Sequence, residues 1–162
     1  MQSTFRIGLY AGIVVAAALG LWLAQLWQEE NQVRLHSEHL LRKIEARNWS
    51  GAGDFMAGDY RDDWDDDRTR VLNRLRLVLR SFASLTITAA DPQVRLDPPT
   101  GNWSAKIQIG GTGGEFVPEV VARVNSLTEP FELDWRRESW APWDWKLIRV
   151  RNPALKISGQ IY

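Results

Sequence analysis

Residues 71–88, VLNRLRLVLRSFASLTIT, decide the fold class, because the spacing of their apolar side chains changes within the stretch. In the first part the apolar residues recur at helical offsets: Val71, Leu72, Leu75, Val78, Leu79 and Phe82. In the last part, Leu85 to Thr88, apolar and polar residues alternate as in a strand. We predict a long helix over about 66–82, with its apolar face in the core, and β-structure after it.

Downstream of residue 88 the alternation continues, and turn-forming residues separate the apolar segments. The predicted strands are 85–88, 94–96, 103–109, a segment containing Val120, Val121 and Val124, then 131–140 and 145–150. Asp91-Pro92 and the glycines of 110–114 mark predicted turns. Such a series of short strands predicts an antiparallel meander.

Upstream, residues 28–49 contain no proline or glycine, which favours a second long helix. Its apolar residues share one helical face: Val33, Leu40, Leu41 and Ile44. Ser50, Gly51 and Gly53 end it, and residues 54–58 leave room for a short helical turn. Helices first and strands afterwards predict an α+β fold, with helices packed on a strongly curved antiparallel sheet.

The N-terminal part has a different composition, since residues 7–27 carry no charge. A helix of that length spans about 30 Å, which matches the hydrocarbon core of a bilayer. We predict a short tail at 1–6, a transmembrane signal-anchor at 7–27 and one domain at 28–162. Arg6 before the span favours a cytoplasmic N-terminus, which places the domain outside the cytoplasm, in the periplasm if the protein is bacterial. A signal peptide cleaved after Ala16 and Ala18 is the alternative.

Net charge and cysteine content exclude several classes of protein. Lys and Arg total 20 and Asp and Glu total 20, so the chain lacks the basic excess expected of a nucleic-acid-binding protein. The absence of cysteine excludes disulfides, thiolate zinc sites and a cysteine nucleophile. We expect no cofactor.

Several segments together resemble the nuclear transport factor 2-like superfamily, also described as the SnoaL-like or cystatin-like cone fold. They are IEARNW (44–49), DFMAGDYRDDW (54–64), LRSFASLTI (79–87), ELDWRRESW (132–140) and WKLIRVRNP (145–153). The resemblance implies a cone in which a bent sheet wraps around helices. The superfamily contains isomerases, dehydratases and non-catalytic binding or dimerisation modules, so it does not imply one activity.

Two polar clusters invite a metal interpretation, and we expect neither to bind metal. His36 and His39 lie on the helix after the membrane, which we expect to place them outside the cone, so a histidine mechanism is not expected. Asp63, Asp65 and Asp67 have the first spacings of a calcium loop, but Arg68 and Arg74 occupy the positions of its glycine and closing glutamate. We predict instead that residues 65–67 cap the following helix.

The resemblance places residues 59–64 at the mouth of the cone, where they could line a cavity. The candidate ligand-binding residues are Asp59, Tyr60, Asp63, Trp64, Trp135 and Arg137. Arg137 is in phase with Trp135 and would need an anionic partner if it pointed inward, although it could instead emerge at the strand end. An enzyme doing acid–base chemistry would use Asp59, Tyr60, Asp63 and Arg137.

Four tryptophans occur close together: Trp135, Trp140, Trp143 and Trp145. They are typical of a filled cone and a dimer interface, or of an aromatic binding surface. The alternation of the 145–150 strand places Trp145 and Leu147 on one face and Ile148 and Val150 on the other, and this two-sided apolar pattern predicts a homodimer through the sheet. We expect a non-catalytic membrane-anchored domain that binds a small ligand or a protein partner, the alternatives being the acid–base enzyme and a purely structural dimerisation module.

Overall fold

The computed structural model describes residues 13–22 and 27–155. Residues 13–22 are helical and are called α1. The other elements are α2 (Glu29–Glu45), α3 (Trp49–Gly53), α4 (Arg68–Leu79), β1 (Phe82–Asp97), β2 (Thr100–Gly113), α5 (Val117–Asn125), β3 (Phe131–Arg137) and β4 (Trp145–Arg151). The predicted α+β class is confirmed, since helices pack on an antiparallel sheet.

The four strands are ordered β1-β2-β3-β4 and each pair is antiparallel. Cross-strand partners share one face of a sheet, so the registers define rows that run across all four strands. Two rows are apolar and face α2: Val94–Trp103–Leu133–Val150 and Leu96–Gly101–Trp135–Leu147. These rows and the helices enclose the main core.

Helix α2 packs closely on strand β2 at Gly101. A Cβ atom at this position would lie 2.8 Å from Cγ2 of the buried Val33, which is closer than two carbon atoms can pack. Glycine at 101 therefore lets the helix pack directly against β2. This contact fixes the position of α2 relative to β2.

Three predictions about the strands are wrong. The glycines of 110–113 do not form the predicted turn, because they continue strand β2 and pair with β1. The segment with Val120, Val121 and Val124 is helix α5, because these residues and the buried Val117 recur at helical spacing and Pro118 lies in the first turn. Asp91-Pro92 is not a turn between strands. The register shift between Ala90 and Gln93 absorbs it as a bulge within the continuous strand β1.

The helix predicted over 66–82 is present but shorter, since Phe82 already belongs to β1. Leu79 and Phe82 are buried, whereas Val78 is 43% exposed, so the prediction that the whole apolar face lies in the core is only partly correct. The predicted capping of this helix is confirmed for Asp67, whereas Asp65 pairs with Arg61 and Asp66 with Arg74. The Asp67 carboxylate accepts the Arg70 backbone N–H at 2.9 Å.

The free edge of β4 is covered by the connection over 55–63. Leu147 N–H donates to the Phe55 carbonyl at 2.8 Å, and Ala57 N–H donates to the Leu147 carbonyl at 2.9 Å. Arg61 N–H continues this pairing with the Ile148 carbonyl at 3.1 Å. The connection thus satisfies backbone groups of an edge strand and brings Tyr60 against the core.

Within residues 13–22 and 27–155, none of the helices combines the length and the apolar character needed to cross a membrane. The predicted anchor 7–27 includes residues 7–12 and 23–26, which lie outside the described residues, as does the C-terminal stretch 156–162.

Candidate functional site

The centre of the cone is filled by three tryptophans from neighbouring strands. Trp103 and Trp135 are 0% exposed and Trp145 is 1% exposed. Large side chains in the inner rows meet α2 and α3 across the core, which leaves the cone interior packed with aromatic rings. The interpretation of Trp135 and Trp145 as core residues is confirmed.

Three polar atoms in this core have no hydrogen-bond partner among the described residues. They are the indole nitrogens of Trp103 and Trp135 and the hydroxyl of Tyr60. Trp145 differs, because its indole N–H donates to the Pro142 carbonyl at 3.0 Å. Buried polar groups are usually hydrogen-bonded. These two N–H groups and this O–H group are therefore the donors with which the interior could bind a hydrogen-bond acceptor.

Tyr60 is the one predicted site residue that joins Trp135 in the core. Its side chain is 2% exposed. Burial raises the pKa of the Tyr60 hydroxyl far above its ordinary value, and the carboxylates of Asp62, Asp66 and Asp63 raise it further. Tyr60 is therefore neutral at physiological pH and can donate a hydrogen bond, but it cannot act as a phenolate.

Beside Tyr60 lies a buried carboxylate that the sequence analysis did not single out. Asp62 Oδ1 accepts the backbone N–H groups of Trp64 at 3.0 Å and Asp66 at 2.8 Å. Burial raises the pKa of Asp62, although these two hydrogen bonds oppose the shift. Asp66 pairs with Arg74 at 3.0 Å. The local sequence signal was the Asx-turn spacing, in which an aspartate binds the N–H two residues later.

The remaining predicted site residues lie at separate places on the surface. Asp59 forms a bidentate ion pair with Arg136 at 2.9 and 3.0 Å, and this pairing lowers the pKa of Asp59. Asp63 lies 4.0 Å from Arg149. The Trp64 indole N–H donates to the Leu155 carbonyl at 2.9 Å.

Arg137 pairs with Glu29 at the N-terminus of α2, and both side chains are 27% exposed. It thus has the anionic partner that the sequence analysis required, but that partner belongs to α2 and not to the 59–67 segment. The structure places Arg137 at the end of β3.

His36 lies against the core, contrary to the expected position outside the cone. Its ring contacts Phe55 and Trp135 edge to face, at centroid distances of 5.7 and 5.8 Å. Burial lowers the pKa of His36, and Nδ1 lies 2.8 Å from the Gln32 carbonyl. Its spacing, three residues after Val33 and four before Leu40, was the signal that placed it on the buried face.

The outer face of the sheet is polar, in contrast to the apolar inner face that packs against the helices. Three outer rows cross the strands: Gln93–Ser104–Glu132–Arg151, Arg95–Asn102–Asp134–Arg149 and Asp97–Thr100–Arg136–Lys146. In the middle row Asn102 donates to Asp134 at 2.8 Å. This row lines a shallow depression of about 320 Å³.

An extra residue in β4 changes the basis of the predicted dimer. Leu147 pairs with Trp135 and Arg149 pairs with Asp134, so Ile148 is bulged and Val150 returns to the inner face beside Leu133. A strand without a bulge would have placed Val150 and Leu147 on different faces of the sheet. With this bulge, Trp145, Leu147 and Val150 all face the core.

Within the described residues, no group of three or more histidine, aspartate or glutamate side chains is placed to hold a metal ion. The described carboxylates of the 59–67 segment instead bind backbone N–H groups or arginines. These contacts hold the shape of the connection between α3 and α4, and Asp67 caps α4.

No family model and no curated protein matches the sequence. Solved structures do match. A proposed dehydratase from the nuclear transport factor 2-like family of Streptomyces avermitilis is 15% identical, with a TM-score of 0.55, over 75% of this chain and 91% of that one. A nuclear transport factor 2-like protein of unknown function from Pseudomonas putida is 12% identical, with a TM-score of 0.56, over 75% and 82%.

A proposed aromatic ring hydroxylase from Novosphingobium aromaticivorans is 10% identical, with a TM-score of 0.58, over 75% of this chain and 85% of that one. The chain therefore has the nuclear transport factor 2-like fold, as the sequence resemblance implied. Likeness at this level of identity establishes the fold, while activity depends on the residues of the site.

Proposed function

We propose that the chain is a non-catalytic interaction domain held at a membrane by residues 7–27, outside the cytoplasm. The observation that carries the proposal is the filled cone, in which Trp103, Trp135 and Trp145 occupy the interior. Enzymes and small-molecule binders usually keep a concave pocket with convergent polar groups. A domain whose interior is packed with its own tryptophans interacts through its surface.

The positions of the candidate acid–base groups also favour a non-catalytic role. Asp59, Asp63 and Arg137 are each next to an oppositely charged partner at the surface, and the three partners lie on β3, β4 and α2. General acid–base catalysis needs groups that converge on one substrate position. Tyr60 lies in the core, and its raised pKa keeps the hydroxyl protonated, so no phenolate is available to act as a base.

The outer sheet face is the surface that we propose for the partner, and a second copy of the chain is the partner that we favour. Arg95, Asp97, Asp134 and Arg149 combine both signs of charge on this face. In a two-fold dimer the same patch meets itself, so a patch carrying both signs can pair with its copy. These charges, and not apolar residues on the outer face of β4, are the basis of the proposed dimer, because the β4 bulge turns Val150 toward the core.

Charge reversal on the outer face tests this proposal. The full chain in detergent should sediment as a dimer, and Arg95→Glu should shift it toward monomer because the patch then repels its copy. Arg123→Glu, an exposed position on α5, is the matched control and should leave the dimer intact. A wild-type chain that stays monomeric at all accessible concentrations would exclude the homodimer.

A small ligand in the cone is the second candidate, favoured by the polar atoms of Trp103, Trp135 and Tyr60 that lack partners among the described residues. A ligand that accepts hydrogen bonds from these groups should raise the unfolding temperature of the wild type in a metabolite panel. The same ligand should stabilise Tyr60→Phe less. If no compound stabilises the wild type, surface interaction remains the preferred function.

A further inference from the structure

The loop between β3 and β4, residues 138–144, presents two tryptophans to solvent. Trp140 is 88% exposed and Trp143 is 59% exposed, in contrast to Trp135 and Trp145 at the two ends of the same hairpin. Exposing two large indoles on one short loop is unfavourable unless they contact something apolar.

The loop is ordered by its own hydrogen bonds. Glu138 N–H donates to the Asp144 carbonyl at 2.9 Å, and Asp144 N–H donates to the Ala141 carbonyl at 3.1 Å. The Ser139 hydroxyl accepts the Ala141 N–H at 3.2 Å. Because the backbone is held in this way, the two indoles are presented by a defined turn.

The loop lies beside the N-terminal half of α2. Arg137, immediately before the loop, pairs with Glu29, the first residue of α2. On the other side of the loop, the Trp143 backbone lies near enough to His36 to raise the pKa of that imidazole, against the lowering that burial causes. Trp27, two residues before Glu29, is itself 55% exposed. The loop that carries Trp140 and Trp143 therefore lies near the start of α2, which directly follows the uncharged segment 7–27 and its last residue, Trp27.

We propose that the 138–144 loop rests on the lipid bilayer, with the indoles of Trp140 and Trp143 at the level of the headgroups. This inference rests on the proposed anchoring by residues 7–27. A chain that leaves the bilayer near Trp27 brings the start of α2, and with it the loop, to the membrane surface. Tryptophan is enriched at that depth because its ring is apolar and its N–H can still be hydrated.

The contact would fix the orientation of the domain. A single tether allows the domain to rotate above the membrane, whereas a tether at residue 27 and a second contact at 140 and 143 define an edge that faces the lipid. The proposed partner face, defined by Arg95, Asn102, Asp134 and Arg149, would then have a constant orientation relative to the bilayer.

The chain contains no cysteine, so one introduced cysteine gives one labelled position. We would label Ser139→Cys in the loop and, as the matched control, the exposed Ala122→Cys on α5 with an environment-sensitive fluorophore. The full chain is reconstituted in vesicles of phosphatidylcholine and phosphatidylglycerol, with and without spin-labelled lipid. The label at 139 should shift its emission to the blue and lose most of its intensity to the spin label, while the label at 122 should do neither.

Alkaline carbonate extraction of the same vesicles tests separately whether residues 7–27 anchor the chain in the bilayer. A chain that resists extraction but shows identical fluorescence at 139 and 122 would overturn the loop contact and leave the anchor standing. A chain that is extracted would overturn the anchor and the contact together.

A double variant tests whether the indoles of Trp140 and Trp143 make the contact with the lipid. Trp140→Ser and Trp143→Ser, combined with the label at 139, should abolish the blue shift and most of the quenching without releasing the chain from the vesicles. Quenching that persists in this variant would show that the tryptophans do not hold the loop at the lipid, which contradicts the proposal.

Discussion

At the scale of single residues, Trp103 tests how closely the core is packed, because it lies on a central strand and is 0% exposed. Trp103→Ala should lower the free energy of unfolding by about 3 to 5 kcal/mol, since it removes a large buried ring and leaves a cavity. Denaturant unfolding of the full chain in detergent measures this change.

Trp140→Ala is the matched control, because the same truncation at an 88% exposed site should change stability by less than about 0.5 kcal/mol. If both variants lose equally little stability, then the ring of Trp103 is not close-packed. That result would favour the small-ligand candidate.

Asp62 gives a prediction about pH, because burial raises the pKa of its carboxyl group in the folded state. A raised carboxyl pKa means that ionisation is less favourable in the folded chain than in the unfolded one. The contribution of Asp62 to stability should therefore fall as pH rises from its unfolded pKa through its folded pKa.

Asp62→Asn keeps an oxygen that can accept from Trp64 and Asp66 but removes this charge. The variant should gain stability relative to the wild type between acidic and neutral pH, as measured by thermal unfolding across that range. A difference that is constant with pH would contradict the assignment of a raised pKa to Asp62.

At the scale of elements, the packing of α2 on β2 depends on Gly101. Gly101→Ala should destabilise the domain by about 1 to 3 kcal/mol, because the new methyl group would lie 2.8 Å from Val33 Cγ2 and push the helix away. Gly110→Ala, on the same strand with open space around its Cβ position, should be tolerated. Denaturant midpoints compare the two, and equal losses would mean that α2 can shift without cost.

The sequence predicted the type of an element correctly where one spacing of apolar residues dominated. The prediction failed where strand propensity and helical spacing competed. The alternation of 103–109 identified β2, and the helical spacing over 71–79 identified α4. The valines of α5 have high strand propensity, yet their spacing and Pro118 favour a helix, and packing of Val117 against Phe82 decides the outcome. The bulges in β1 and β4 depend on pairing partners, which a single sequence does not reveal.

At the scale of the whole molecule, deletion of residues 1–27 should release the domain from the membrane fraction. The deletion leaves Glu29, its pairing with Arg137 and the core residues in place, so the released domain should still unfold cooperatively. Fractionation followed by thermal unfolding measures both properties. A deletion variant that remains membrane-bound would show that 7–27 is not the anchor.

The resemblance predicted the fold that the described residues adopt, but the candidate site was predicted less well. Tyr60 and Trp135 share one core, whereas Asp59, Asp63 and Arg137 pair with arginines or a glutamate at the surface. Their partners Arg136, Arg149 and Glu29 are distant in sequence, so only the folded chain brings them together. His36 could have been found, because its helical spacing matched that of the buried Val33.

The seating of Val33 over Gly101 also has a mechanical consequence. If residues 7–27 anchor the chain as proposed, tension on the anchor enters the domain at Glu29 and passes along α2, which packs on the sheet and is joined to β3 through Arg137. We expect this load to act first on the contact between the helix and the sheet. Detachment of α2 from β2 is then the first mechanical event that we expect when the domain is pulled through its anchor.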